Sequence, residues 1–308
     1  MSRFSSEPDG LETVADFVRW AASEFNRAGL YFGHGTDNAL DESIWLVLHA
    51  LAVTPPLPDA LYSARLTPTE RAEVVELIGE RLSSRKPAAY LTGQARFAGL
   101  DFHVTEDVLV PRSPLAELIE QGFGPFAPPT GFNRVLDLCT GSGCIAIACA
   151  MHLGVDEVHA TELSAEALAV ARRNVARYGL QSVVQLHQGD LFADAPRQGY
   201  DLIISNPPYV PDTEMAELPV EYQREPVLGL RAEEEGTAIA ARIIASAADY
   251  LSPEGILVIE VGNAAEALAN RFNELPMEWP LFERGGQGIC VIHAADLGAI
   301  AADGPGRD

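Results

Sequence analysis

Val135-Leu136-Asp137-Leu138-Cys139-Thr140-Gly141-Ser142-Gly143-Cys144-Ile145-Ala146 reads as an apolar strand that runs into a glycine-rich turn and then into an apolar helix. Two glycines let the backbone come close to a ligand and leave helix N–H groups free to meet it. Gly141-x-Gly143-x-x-Ala146 also satisfies the dinucleotide fingerprint, and Glu162, 21 residues after Gly141, stands where an acid holds ribose hydroxyls. NAD and S-adenosylmethionine fit this motif equally, so the expectation at this point is an adenosine-type cofactor. Glu162 has a second reading, as a cap on the following helix beside Ser164. Asp190, in Gly189-Asp190-Leu191-Phe192, is placed to accept the adenine amino group while its apolar neighbours cover the ring; an ordinary turn aspartate reads the same way.

Outward from this loop, apolar strand candidates at 135–138, 158–161, 183–186, 202–205 and 256–260 alternate with helical stretches. That rhythm predicts an α/β fold, a doubly wound and mostly parallel sheet with helices on both faces, which binds ligands at the carboxyl ends of its strands. Stretches 279–281 and 288–292 predict two further strands, and 301–308 a flexible tail. Upstream, Leu11, Val14, Phe17, Val18, Ala21 and Phe25 recur at helical spacing, and a second apolar stretch covers 44–51. Thr67-Pro68-Thr69-Glu70 then combines a capping box with proline at the first helical position. Residues 1–92 thus predict a small helical domain for packing and partner contact, 93–113 a β-hairpin linker around Gly99, and 114–300 the cofactor-binding domain.

A chain of 308 residues, 47% of them hydrophobic, is long enough for one full-sized domain and a smaller one. Its 21 Lys and Arg against 44 Asp and Glu leave a net charge of -23. Such a balance disfavours duplex DNA and membrane surfaces, both polyanions, and points to a basic protein partner, although solubility alone gives the same composition. No 18-residue apolar run is present, and the opening MSRFSSEPDG lacks the apolar core of a signal peptide, so a cytoplasmic location is expected. Cys139, Cys144, Cys149 and Cys290 have no C-x-x-C spacing and read as reduced, packed thiols. The seven histidines form no metal motif, and no metal is expected.

After the fourth strand candidate comes Asn206-Pro207-Pro208-Tyr209. Consecutive prolines remove two backbone donors and fix two φ angles, which makes a stiff turn whose carbonyls are free to accept. A planar NH2 group needs two acceptors. The Asn206 side-chain oxygen and the Pro207 carbonyl supply them, with the Tyr209 ring stacked on the conjugated plane. Fixing both hydrogens aims the nitrogen at a neighbouring electrophile, which in an S-adenosylmethionine site is the sulfonium methyl. A structural Pro-Pro turn is the plainer alternative.

With these residues the chain resembles the class I S-adenosylmethionine-dependent methyltransferases with an N-P-P-Y motif, and within them the HemK-like protein glutamine methyltransferases. Tyr31-Phe-Gly-His-Gly-Thr-Asp-Asn38, Leu109-Val-Pro-Arg-Ser-Pro114 and Glu221-Tyr-Gln-Arg-Glu-Pro226 are similar to the branch that acts on protein three of the large ribosomal subunit. The release-factor branch usually carries Pro-Arg-Pro-Glu/Asp-Thr-Glu where this chain has Pro111-Arg112-Ser113-Pro114. The resemblance implies a Rossmann-like seven-stranded sheet with an antiparallel last strand, an N-terminal substrate-recognition domain and a methyltransferase catalytic domain. It implies cofactor contacts at Asp137, Cys139, Thr140, Gly141, Ser142, Gly143, Glu162, Asp190, Leu191 and Asn206. Asn206, Pro207, Pro208 and Tyr209 are expected to hold the substrate glutamine, with Asn206, Pro207 and Tyr209 catalytic. Relatives often carry Asp at the position of Glu162. The implied partner is a basic ribosomal protein, with release factors as the alternative substrate. A DNA adenine methyltransferase would use the same tetrapeptide on a flipped base but needs a basic groove. An NAD oxidoreductase leaves the tetrapeptide unexplained, and a non-catalytic ribosome-assembly factor would bind the same partner without methylating it.

Overall fold

A computed structural model describes residues 10–54 and 56–303. Residues 1–9, where a signal peptide would begin, and the last five residues of the expected tail lie outside them. The chain forms two compact units, Met1–Ala95 with Leu218–Arg224, and Arg96–Glu217 with Glu225–Asp308.

The first unit packs α1 (Val14–Arg27), α2 (Ala39–Ala50) and α3 (Pro68–Ser84) around Phe17, Phe25, Leu46 and Ile78. Capping explains each start. Thr13 and Thr67 form capping boxes with Asp16 and Glu70, and the Asn38 side chain accepts the Asp41 N–H. The cap at Asn38 starts α2 five residues before the apolar stretch at Ile44. Into this unit folds the segment Leu218–Arg224, drawn from far along the chain. Its Glu221 is fully buried, 2.8 Å from Arg85 Nε and 3.5 Å from Arg81 Nη1, and accepts the Tyr31 N–H at 3.2 Å. Arg81, also without exposed surface, donates from Nε to Glu42 at 2.8 Å. Burial raises the Glu42 carboxyl, and Arg81 opposes the rise.

The chain leaves this unit through β1 (Gln94–Phe97), which turns at Ala98-Gly99 into β2 (Leu100–His103). Both turn residues have positive φ, 46° and 73°, as a two-residue hairpin loop requires. The second unit then follows the βαβ rhythm. Helix α4 (Leu115–Glu120) precedes β3 (Arg134–Leu138), α5 (Cys144–His152), β4 (Glu157–Glu162), α6 (Ala165–Arg177), β5 (Val184–Gln188) and β6 (Tyr200–Ser205). After a long connection come α7 (Ala238–Ala247), β7 (Leu251–Glu260), α8 (Ala265–Arg271), β8 (Ile289–His293) and α9 (Ala294–Asp303). The sheet has the order β8-β7-β6-β3-β4-β5, parallel except for β8 against β7. Alternation splits the core into two layers. Val135, Ile204 and Val258 face α5 residues such as Ile147, and Leu136, Ile203 and Leu257 pack with Ile243 and Leu268.

Two expectations are corrected. Stretch 279–281 forms no strand, so among the described residues the sheet has six strands and the expected seventh shrinks to one bridge, Glu278 to Val291. Pro276, Pro280, Gly285 and Gly286 crowd this stretch; proline lacks the ladder donor and glycine weakens pairing. Residues 301–303, read as tail, are the last turn of α9.

Candidate active site

Strand order reverses between β3 and β6, the switch point at which open α/β sheets bind ligands. Leu138 pairs with Ser205 there, and the Ser205 hydroxyl donates to the Leu138 carbonyl at 2.7 Å. The residues that follow, Cys139 and Asn206, therefore leave the sheet side by side. Both line a cleft of about 370 Å³, within the size range of small-ligand sites. Thr140, Gly141, Ser142, Glu162, Asp190, Leu191 and Pro208 share its wall.

The glycine loop is held from beneath. Asp137 is completely buried, and its Oδ2 accepts the Thr140 hydroxyl at 2.5 Å and the Ala146 N–H at 3.1 Å, so one carboxyl bridges loop and helix. Asp137 does not line the cleft; it supports the residues that do. Gly143, with φ 80° at the start of α5, also stands off the wall, and an added Cβ would lie 3.3 Å from the Ala171 Cβ. Its task is close packing of α5 on α6. Cys139 and Leu191 adopt positive φ, 59° and 54°, at the two points where the chain turns out of its strand.

The cap of α6 is Ser164, whose hydroxyl accepts the Ala167 N–H at 3.1 Å, while the two Glu162 oxygens accept the N–H groups of Gly141 at 2.8 Å and Ser164 at 2.9 Å and so tie the glycine loop to the start of that helix. An ionised carboxylate has about four lone-pair sites, so capacity for two hydroxyls remains. Asp190 takes a hydrogen bond from Arg242 at 2.6 Å on Oδ2. Cys144, Cys149 and Cys290 are buried, and burial raises all four thiols well above their ordinary range.

Pro207 and Tyr209 are not on the cleft wall. Tyr209 is clasped behind it, where its hydroxyl donates to Glu260 Oε1 at 3.2 Å and glycines press on it from two sides. From the sequence, Arg112, Ser113 and Glu225 stand only within stretches that carry the family resemblance and Glu260 only as a strand end; none of the four is given a role in the site. Arg112 donates through two nitrogens to the two oxygens of buried Glu225, both at 2.6 Å, and Glu225 also accepts the Val110 N–H at 3.0 Å. The signal for Glu260 was present, because a lone acid ends the otherwise apolar run Ile256-Leu-Val-Ile-Glu260.

Burial pushes the Asp137 carboxyl up to about 7, against the hydrogen bonds from Thr140 and Ala146. The unfolded chain ionises this group near 3.8, so its contribution to stability is complete below about pH 4 and is lost as pH rises through about 7. Between pH 5 and pH 7 the wild type is expected to lose up to about 3 kcal/mol relative to Asp137→Asn, which does not titrate. Urea unfolding at the two pH values measures the difference, and parallel pH dependences would exclude it.

Five carboxylates (Glu106, Asp107, Glu162, Glu166 and Asp190) and one guanidinium, Arg112, line the cleft, which favours a cationic ligand. Thr161 Oγ1, also in the wall, is buried with no hydrogen-bond partner among the described residues, as expected of a group that a ligand satisfies. The donor set fits a sulfonium nucleoside. Among the described residues no cluster of His, Cys, Asp and Glu is able to hold a metal ion, and no helix is long and apolar enough to cross a membrane.

The Methyltransferase small domain family matches residues 126–220. The chain is 46% identical to the ribosomal protein uL3 glutamine methyltransferase of Bordetella pertussis, over 87% of this chain and 91% of that protein. It is 45% identical to the protein of the same description from Xanthomonas campestris pv. campestris, over 96% of this chain and 95% of that one. Among solved structures, a methyltransferase from Pyrococcus furiosus aligns with a TM-score of 0.47 and 20% identity, over 63% of this chain and 88% of that one.

Proposed function

The chain belongs to the ribosomal protein uL3 glutamine methyltransferases, and from that premise we propose that Asn206 and Pro207 hold a glutamine of uL3 for methylation at its side-chain amide nitrogen. The cofactor is S-adenosylmethionine. The observation that carries the reading is the Leu138–Ser205 pairing, which delivers the glycine loop and Asn206 to one cleft.

When bound, S-adenosylmethionine supplies an electrophilic methyl on sulfur. Cys139 to Ser142, Glu162 and the Asp190-Leu191 turn would hold it. The protein's share of the chemistry is orientation, because an amide nitrogen is a poor nucleophile whose lone pair is delocalised into the carbonyl. Well-oriented pairs recover roughly 7–11 kcal/mol of barrier. Asn206 Oδ1, on the cleft wall, accepts one N–H, and the carbonyl of Pro207, which lies off the wall between the wall residues Asn206 and Pro208, is the second acceptor in this reading; the pair adds electron density to the nitrogen and favours the positive charge that develops on it. The proton leaves once the nitrogen has become acidic, so no strong base is needed earlier.

The test incubates the enzyme with labelled cofactor and, side by side, uL3, release factors and duplex DNA. Label on uL3, located on a glutamine by mass spectrometry, supports the reading; label only on a release factor or on DNA overturns it. The net charge of -23 further predicts that a basic uL3 is steered in by its charge, so the association rate falls as salt rises. A rate insensitive to salt in stopped flow would reject steering.

A further inference from the structure

Tyr209 is expected at the substrate, yet its hydroxyl points to a carboxyl outside the cleft wall. That carboxyl belongs to Glu260, at the carboxyl end of β7, which is 4% exposed. Its Oε1 accepts the Tyr209 hydroxyl at 3.2 Å, and its Oε2 accepts a short hydrogen bond from the Ser113 hydroxyl. Ser113 Oγ in turn accepts the Leu115 N–H at 3.0 Å at the start of α4, so the serine is itself fixed by the backbone. The backbone around Tyr209 leaves no slack. A Cβ at Gly262 would lie 2.7 Å from the Tyr209 ring, and one at Gly236 would lie 2.2 Å from the Tyr209 carbonyl oxygen. Gly262 N–H bonds the Gly288 carbonyl at 3.1 Å, which pins the loop behind the ring.

We propose, on the reading of function above, that Glu260 and Ser113 are positioning residues for methyl transfer: the Glu260 carboxylate, held by Ser113, fixes the Tyr209 ring and through it the stiff Asn206-Pro207-Pro208 turn. Two prolines make this turn rigid but do not orient it, because rigidity within the tetrapeptide still allows it to swing about its ends. A hydrogen bond from its last residue to a buried carboxylate removes that freedom.

Burial pushes the Glu260 carboxyl up to about 7, and the Ser113 and Tyr209 hydroxyls and the Arg112 guanidinium oppose the rise. These are the groups that face it, with Glu225 behind Arg112. The ionised carboxylate accepts from both hydroxyls as charge-assisted bonds. Protonation turns one oxygen into a donor, so the hydroxyl on that side must turn to accept and the charge assistance is lost.

The experiment compares kcat, KM and cofactor affinity for wild type, Glu260→Gln, Tyr209→Phe, Ser113→Ala, Ser113→Thr and the Glu260→Gln/Tyr209→Phe double variant, using labelled cofactor and uL3. Loss of an orienting partner outside the reacting atoms is expected to lower kcat roughly 10- to 100-fold, with cofactor affinity within a few-fold of wild type. The double variant should fall no further than the weaker single, because both remove one interaction. Ser113→Thr should recover most of the loss seen in Ser113→Ala. The wild-type kcat should rise with pH through an apparent pKa near 7, and this limb should vanish in Glu260→Gln. Glu260→Gln with wild-type kcat, or effects of Glu260 and Tyr209 that simply add, would overturn the proposal. Should Glu260→Gln fail to fold, Tyr209→Phe and Ser113→Ala, which leave the carboxyl in place, decide by the same kcat criterion. Absence of label on uL3 with wild type would refute the substrate reading instead, and the variants are then compared on whichever partner the wild type labels.

Discussion

Replacing Asn206 by alanine is expected to lower turnover on uL3 by a factor on the order of 10² to 10³, the loss typical of one oriented polar group in an active site, with a smaller effect on cofactor affinity. Asn206 lies on the cleft wall at the end of β6, beside the glycine loop. Its amide oxygen is one of only two acceptors proposed for the glutamine NH2. Without it the substrate amide is free to rotate, and the nitrogen no longer presents a fixed direction to the methyl. Single-turnover label transfer, measured at saturating cofactor, isolates the chemical step from binding. Methylation within a few-fold of wild type would remove Asn206 from the site.

The second large effect concerns stability. Arg112→Ala is expected to destabilise the protein by about 3 kcal/mol, because it removes the two-nitrogen, two-oxygen ion pair from the buried Glu225 carboxylate. The Arg112 side chain is 22% exposed and that of Glu225 is fully buried, so solvent offers the carboxylate little compensation. The paired replacement Arg112→Met with Glu225→Leu should recover most of the loss, since apolar pairs of similar volume often replace buried ion pairs at no net cost. Urea titration of the three proteins decides. A loss below about 1 kcal/mol in Arg112→Ala would mean that water enters and solvates Glu225.

The strands of the sheet and helices α1 and α3 were legible because their signals are local: apolar runs bounded by turns for the strands, apolar residues at helical spacing for α1, and Thr67 followed three residues later by Glu70 for α3. The glycine loop and Asn206 were legible together for the same reason. Arg112 and Glu225 were legible as members of two family-like stretches, 109–114 and 221–226, but not as a pair, since 113 residues separate them. Glu260 reads as the frayed end of a strand until Ser113 and Tyr209 are seen to converge on it. The seventh strand was over-read, because Trp279 and Leu281 supply apolar character while the adjacent prolines withdraw the donors a ladder needs. Asp137 and Gly143 sit in the cofactor motif, yet they build the loop from behind, a distinction that spacing along a chain does not encode.

The helical unit of the fold is discontinuous, and that has a consequence for its own synthesis. Leu218 is the 123rd residue after Ala95, so at a translation speed of 5–20 residues per second the first unit waits about 6 to 25 s for its last piece. During that interval Arg81 and Arg85 stand without Glu221, and the nascent helices are one anion short of completion. A fragment cut at Ala95 would remain in that unfinished state permanently. What looks like an N-terminal domain is therefore among the late parts of this protein to be closed.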